Sequence, residues 1–183
     1  VFNVLRTTAA HELFHKVQDQ YIFPLFTDER IGNFWKEGTA VWAEDIVYDE
    51  INDYIRFINP TTAQRIASFL EVSDQPLFES SYQSILFWKY LTEHYQKDGT
   101  ESKVIQGLWD EIDPLETNPE KLIEKVTGVN FETIFTDWVI ANAAKELPNV
   151  EAKYKYSENQ DGIGYGQQKV PTDKQIRQLP YLH

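Results

Sequence analysis

Between its glycines and prolines, almost every stretch of this chain carries apolar residues at helical spacing, and that periodicity predicts a mainly α fold. Residues 4–20 hold no Gly or Pro and place Val4, Leu5, Leu13, Phe14 and Val17 in a helical pattern. Residues 21–32, with Pro24, Asp28 and Gly32, read as a loop. Asn33 then fits as the N-cap of a helix over about 34–54, in which Glu37, Ala40, Val41, Glu44, Tyr48 and Ile51 share one stripe. Asn59-Pro60 breaks the chain, a short helix over about 62–71 follows, and Ser80 or Ser81 caps a further helix reaching about Tyr95. Gly99-Thr100 separates that helix from one over about 101–112. Asn118-Pro119 through Gly128 has an N-cap, a proline at the first helical position and a terminating glycine. Asn130 caps a last helix whose stripe of Phe131, Ile134, Phe135, Trp138 and Ala141 faces the core, and Pro148 ends it. The expected organisation is one helical domain over 1–148. An irregular tail over 149–183, marked by Gly162, Gly164, Gly166, Pro171 and Pro180, packs on it or leads into another domain.

With 183 residues the chain is long enough to bury a sizeable core without disulfides, and it has no cysteine to form them. Lys plus Arg number 17 against 29 Asp plus Glu, a formal charge of −12, so nucleic acid and anionic membranes are disfavoured as partners. Charge interrupts each apolar stretch, and no run is long enough to span a membrane. The Gly162-x-Gly164-x-Gly166 pattern lacks a following helix and does not read as a phosphate loop. Trp35, Trp42, Trp88, Trp109 and Trp138 fall on helical stripes and read as core rather than as a stacking platform for bases.

The residues that carry chemistry are His11-Glu12-Leu13-Phe14-His15. Positions four apart on a helix lie on one face, so two imidazoles can reach the same ion with the glutamate beside it. The plain alternative is two structural histidines, one packed and one solvated. A catalytic zinc takes three protein ligands and keeps a fourth position open. Glu37, in Trp35-Lys36-Glu37-Gly38-Thr39-Ala40, is the candidate third ligand. Gly38, costly inside a helix by about 1 kcal/mol relative to Ala, suits a close backbone approach, as to the histidine helix. His94 and His183 have no comparable context.

Together, Ala10-His11-Glu12-Leu13-Phe14-His15 and Glu37-Gly38-Thr39-Ala40 resemble the gluzincin metallopeptidases. The likeness is greatest to the helical catalytic domain of the aminopeptidase N family, where an Ala-His-Glu-Leu-x-His helix precedes one carrying Glu-Gly-x-Ala. The resemblance implies one zinc ion per chain held by His11, His15 and Glu37, with Glu12 as general base, and peptides or proteins as substrates. It also implies an orienting role for Glu44, seven residues after Glu37, with a surface acid as the alternative. Tyr82, in Ser81-Tyr82-Gln83-Ser84, resembles the tyrosine that steadies the oxyanion.

The chain departs from the family in two places. Twenty-one residues separate His15 from Glu37, a few more than is usual in the aminopeptidases, and Tyr82 is not followed by the family's Glu-Lys-Gly. The signature that recognises a free amino terminus would lie upstream of Val1, so aminopeptidase activity does not follow. Two rival readings stand beside the peptidase: a zinc-containing but non-catalytic helical module that binds peptides or proteins, and a metal-free helical scaffold. The chain opens at Val1 and contains no Met, so an upstream flanking domain is expected in the full-length protein. The lack of cysteine and the peptidase resemblance lean towards a secreted or cell-envelope protein whose signal sequence would precede Val1.

Overall fold

The computed structural model describes residues 2–21, 29–58, 75–96, 100–112, 118–144 and 149–157. Among them the chain forms seven helices and no strand: α1 (Phe2–Gln18), α2 (Glu29–Val47), α3 (Ile55–Ile58), α4 (Ile85–His94), α5 (Glu101–Asp110), α6 (Pro119–Thr127) and α7 (Phe131–Ala144). Short 3-10 turns occupy Leu77–Glu79, Tyr82–Ser84 and Ala152–Tyr154. The helix expected near 62–71, Pro24, Asp28, Gly99, Pro148, and the tail from residue 158 with its glycines and prolines lie outside the described residues.

Helix α1 lies along α2, α2 packs on α4, α4 meets α5 and α7, and α6 joins α5 to α7. The core is aromatic because the inward stripes are. Phe34 and Trp35 of α2 and Phe87 and Trp88 of α4 are wholly buried, with ring centroids 4.8 Å apart for Phe34–Trp88 and 5.0 Å for Trp35–Trp88. Trp138 of α7 meets Phe87 edge-on at 5.5 Å. Burying each such side chain stabilises the fold by roughly 1.5–3 kcal/mol, and edge-on or tilted pairing adds about 0.5–1.5 kcal/mol. All five tryptophans are buried, as their stripes predict. The core also holds an ion pair: Lys89 Nζ lies 2.5 Å from Asp45 Oδ2, with both side chains buried.

Helix α6 follows its sequence signals. Asn118 Oδ1 accepts from the backbone N–H of Glu120 at 2.9 Å and of Lys121 at 3.3 Å, Pro119 opens the helix, and Gly128 closes it at φ 73°. At α7 the expected cap is different. The Asn130 side chain donates to Glu124, and the Glu124 carboxylate accepts the first helical N–H, that of Phe131, at 2.8 Å. Of the predicted α7 stripe, Ile134, Trp138 and Ala141 are buried, and Phe131 and Phe135 are half-buried against the core.

Three boundaries differ from expectation. Gly32 and Asn33 fall inside α2, which already runs from Glu29; Arg30 there is held to Glu79 at 2.7 Å, and Ile31 packs on the core. Helix α2 stops at Val47 instead of near residue 54, so Tyr48 and Ile51 leave the stripe. The chain turns at Asn52, whose φ of 47° is one of the few left-handed conformations that Asn tolerates. Contacts with α1 hold that turn: Thr7 Oγ1 donates to Asp53 at 3.0 Å, and Arg6 reaches Glu50 at 3.3 Å while lying over the Tyr48 ring. Finally, neither Ser80 nor Ser81 caps α4 through its side chain. Ser84 Oγ donates back to the Ser81 carbonyl, and the tight turn Tyr82–Ser84 leads into the helix.

The segment 149–157 packs over α4 and α7. Tyr156 is buried with its hydroxyl 3.2 Å from Asn142 Oδ1, Tyr90 donates to the Lys153 carbonyl at 2.9 Å, and His94 Nε2 donates to the Lys155 carbonyl at 2.9 Å.

Candidate metal centre

Helix α1 turns a polar face inward. Thr7, His11 and Gln18 are its buried residues, whereas Leu5 and Leu13 are 63% and 68% exposed. Thr7, His11 and Gln18 recur at intervals of four and seven and so share a side of the helix, with His15 adjoining it. Opposite them, Glu37 and Glu44 stand two turns apart on α2.

Both imidazoles direct Nε2 at one carboxylate oxygen. Glu37 Oε2 is 3.2 Å from His11 Nε2 and 3.4 Å from His15 Nε2, and the two rings meet edge-on at 4.5 Å. The other ring nitrogens are engaged behind. His11 Nδ1–H donates to Glu44 Oε1 at 2.6 Å, and His15 Nδ1–H donates to Gln18 Oε1 at 2.6 Å. The Gln18 amide is oriented in turn, because its Nε2 donates to the Lys36 carbonyl at 2.9 Å and to Thr39 Oγ1 at 3.0 Å. Each histidine thus has one nitrogen fixed as a donor and the other presented to Glu37.

Glu44 is 3% exposed, which excludes the surface-acid alternative. Gln18, 1% exposed, was missed by sequence reasoning, and its only signal is the three-residue step from His15 along one helix face. Gly38 serves a different contact from the expected one. A Cβ there would collide with Ser84 Oγ and the Trp88 indole, so the close approach is to α4 and the turn before it, not to the histidine helix.

Tyr82 belongs to the same cluster. Its ring stacks on His11 at 5.8 Å and on Phe57 at 5.0 Å, and its hydroxyl lies near Glu37. Burial and the nearby carboxylates of Glu37, Glu12 and Glu44 push the Tyr82 hydroxyl up to about 12, so it keeps its proton at neutral pH. Burial disfavours the charged form of His11, but hydrogen bonds to Glu37 and Glu44 and their negative charge outweigh it, and His11 is pushed up to about 9. Burial would raise Glu37 too, yet its bond to His11, the nearby Tyr82 hydroxyl and the charge of the two histidines leave it below the ordinary carboxylate range. Glu12 is exposed beside the cluster.

The ligand atoms of His11, His15 and Glu37 all lie within 4.8 Å of one another. The two histidine-to-carboxylate spacings match the edge of a tetrahedron with bonds of about 2.0–2.1 Å, which is roughly 3.3–3.4 Å, the scale of a zinc site. Two imidazoles and one carboxylate are also a donor set that zinc accepts, so the residues present fit the ion. Comparison of the chain with protein-family models, with curated proteins and with solved structures returns no match.

Proposed function

We propose that this chain is a zinc-dependent metallopeptidase of gluzincin type, acting on peptide or protein substrates with one zinc ion held by His11, His15 and Glu37. The observation that carries the reading is the convergence of both Nε2 atoms on Glu37 Oε2, at 3.2 and 3.4 Å. Zinc, when bound, supplies Lewis acidity, lowering the pKa of a water towards about 7 and polarising the scissile carbonyl.

The chain's own residues divide the remaining work. Glu12 is next in sequence to His11 and open to solvent, so its carboxylate is free to accept the proton of the attacking water and hand it to the leaving amine. Tyr82 remains protonated and donates a hydrogen bond to the oxygen on which negative charge develops. Glu44 and Gln18 hold the two imidazoles by Nδ1.

The test is Glu12→Gln. Hydrolysis of a peptide library should fall by about 10²–10⁴, the usual contribution of a general base, while the zinc content stays that of the wild type. Full activity in that variant would rule out the mechanism. Retained zinc with no activity in the wild type would favour the non-catalytic binding module.

A further inference from the structure

Tyr82 opens a 3-10 turn of only three residues, and Ser81 before it makes no side-chain cap. So short a turn holds its backbone weakly. A hydrogen-bond donor aimed at developing charge has to be held to within about 0.5 Å, so the Tyr82 ring needs packing to locate it.

The contacts that locate it form a closed circuit that begins and ends on α1. The Tyr82 ring lies nearly parallel to that of His11, at 14°, and to that of Phe57, at 27°. Phe57 is 6% exposed, and among the described residues Tyr82 is the only aromatic ring against it. The Arg56 guanidinium covers the Phe57 ring, 4.5 Å from its centroid, and Arg56 Nη1 lies 3.3 Å from Asp53 Oδ2. The same Asp53 oxygen accepts from Thr7 Oγ1 at 3.0 Å. Thr7 stands one helical turn before His11 and is buried on the same side of α1. Tyr82 is thus located relative to the histidine helix and not merely to its own turn.

We propose that the turn from Asp53 to Phe57 is a positioning device for the candidate site: Phe57, steadied by Arg56 and Asp53, fixes the Tyr82 ring against His11 and with it the direction of the hydroxyl. The catalytic consequence rests on the peptidase reading, in which that hydroxyl steadies the oxyanion, whereas the placement of the ring does not. Phe57, Arg56 and Asp53 are positioning residues, acting on the reaction only through Tyr82. A leucine at 57 would keep the site apolar but would offer Tyr82 no flat face to stack on.

The test has a spectroscopic arm and a kinetic arm. In the full chain labelled with ¹³C in its tyrosine rings, the Tyr82 signal is assigned by its loss in Tyr82→Phe. The flanking rings should displace it from the position of an exposed tyrosine, and Phe57→Leu should return it most of the way. In the zinc-loaded chain, Phe57→Leu should lower kcat on a peptide about tenfold, part of the roughly 10²–10³ that removing an oxyanion donor costs, with KM and zinc content unchanged. In a Tyr82→Phe background the same substitution should change kcat by less than about twofold, since there is no hydroxyl left to position. Asp53→Ala leaves Phe57 in place and should move both readouts in the same directions, so it carries the test if Phe57→Leu does not fold. An unmoved Tyr82 signal, or an equal loss of kcat in both backgrounds, would make Phe57 ordinary core and overturn the proposal. No hydrolysis by the wild type would refute the peptidase reading and the catalytic half of the proposal with it, and the ring signal would still decide the placement.

Discussion

At His11 and His15 the ring nitrogens are divided between support and presentation, and that division has consequences for metal affinity. Glu44 Oε1 and Gln18 Oε1 each accept an Nδ1–H at 2.6 Å, fixing tautomer and ring orientation. Removing either acceptor, by Glu44→Leu or Gln18→Leu, should weaken zinc binding about 10–100-fold, measured by competition with a chromogenic chelator. Protonation gives a second, metal-free test. His11 is pushed up to about 9 in the folded chain from an ordinary value of 6.5, so the folded state holds this proton more tightly than the unfolded state does. That contribution is complete below about 6.5 and is lost as the pH rises through about 9. The melting temperature of chelator-treated protein should therefore fall across that interval, and His11→Asn should flatten the change.

Among the elements, the junction of α2 with α4 is the tightest. Gly38 leaves no room for a methyl group beside Ser84 and Trp88. Gly38→Ala should therefore destabilise the fold by about 1–3 kcal/mol in urea unfolding, despite the helix propensity of roughly 1 kcal/mol that Ala would bring. Helix α6 was fully legible in the sequence because Asn118, Pro119 and Gly128 satisfy its ends locally. The ends of α2 were not, because tertiary contacts set them: Arg30 with Glu79 at one end, and Thr7 and Arg6 with the turn at Asp53 and Glu50 at the other. The same limit hid the purpose of Gly38, since its neighbours Ser84 and Trp88 lie far away in sequence.

Across the whole molecule, the candidate metal centre joins α1, α2 and the turn before α4. His11, Glu12, His15 and Glu37 could be read from helical spacing and short motifs, while Gln18 could not, because its role depends on an amide oriented from α2 by Lys36 and Thr39. Apolar periodicity also indicated that α1 is a helix but not which side it buries, since the inward face carries Thr7, His11 and Gln18. The formal charge of −12 argues against polyanionic partners and is compatible with a bound cation, but the convergence of His11, His15 and Glu37 on one point is the observation that supports the proposed metal. The most direct test is elemental analysis of protein purified without chelator, beside a Glu37→Ala variant whose helical content is checked by circular dichroism. The account predicts about one zinc per chain in the wild type and its loss or marked weakening in the variant. No zinc in the wild type even after reconstitution, or equal zinc in both proteins, would contradict it.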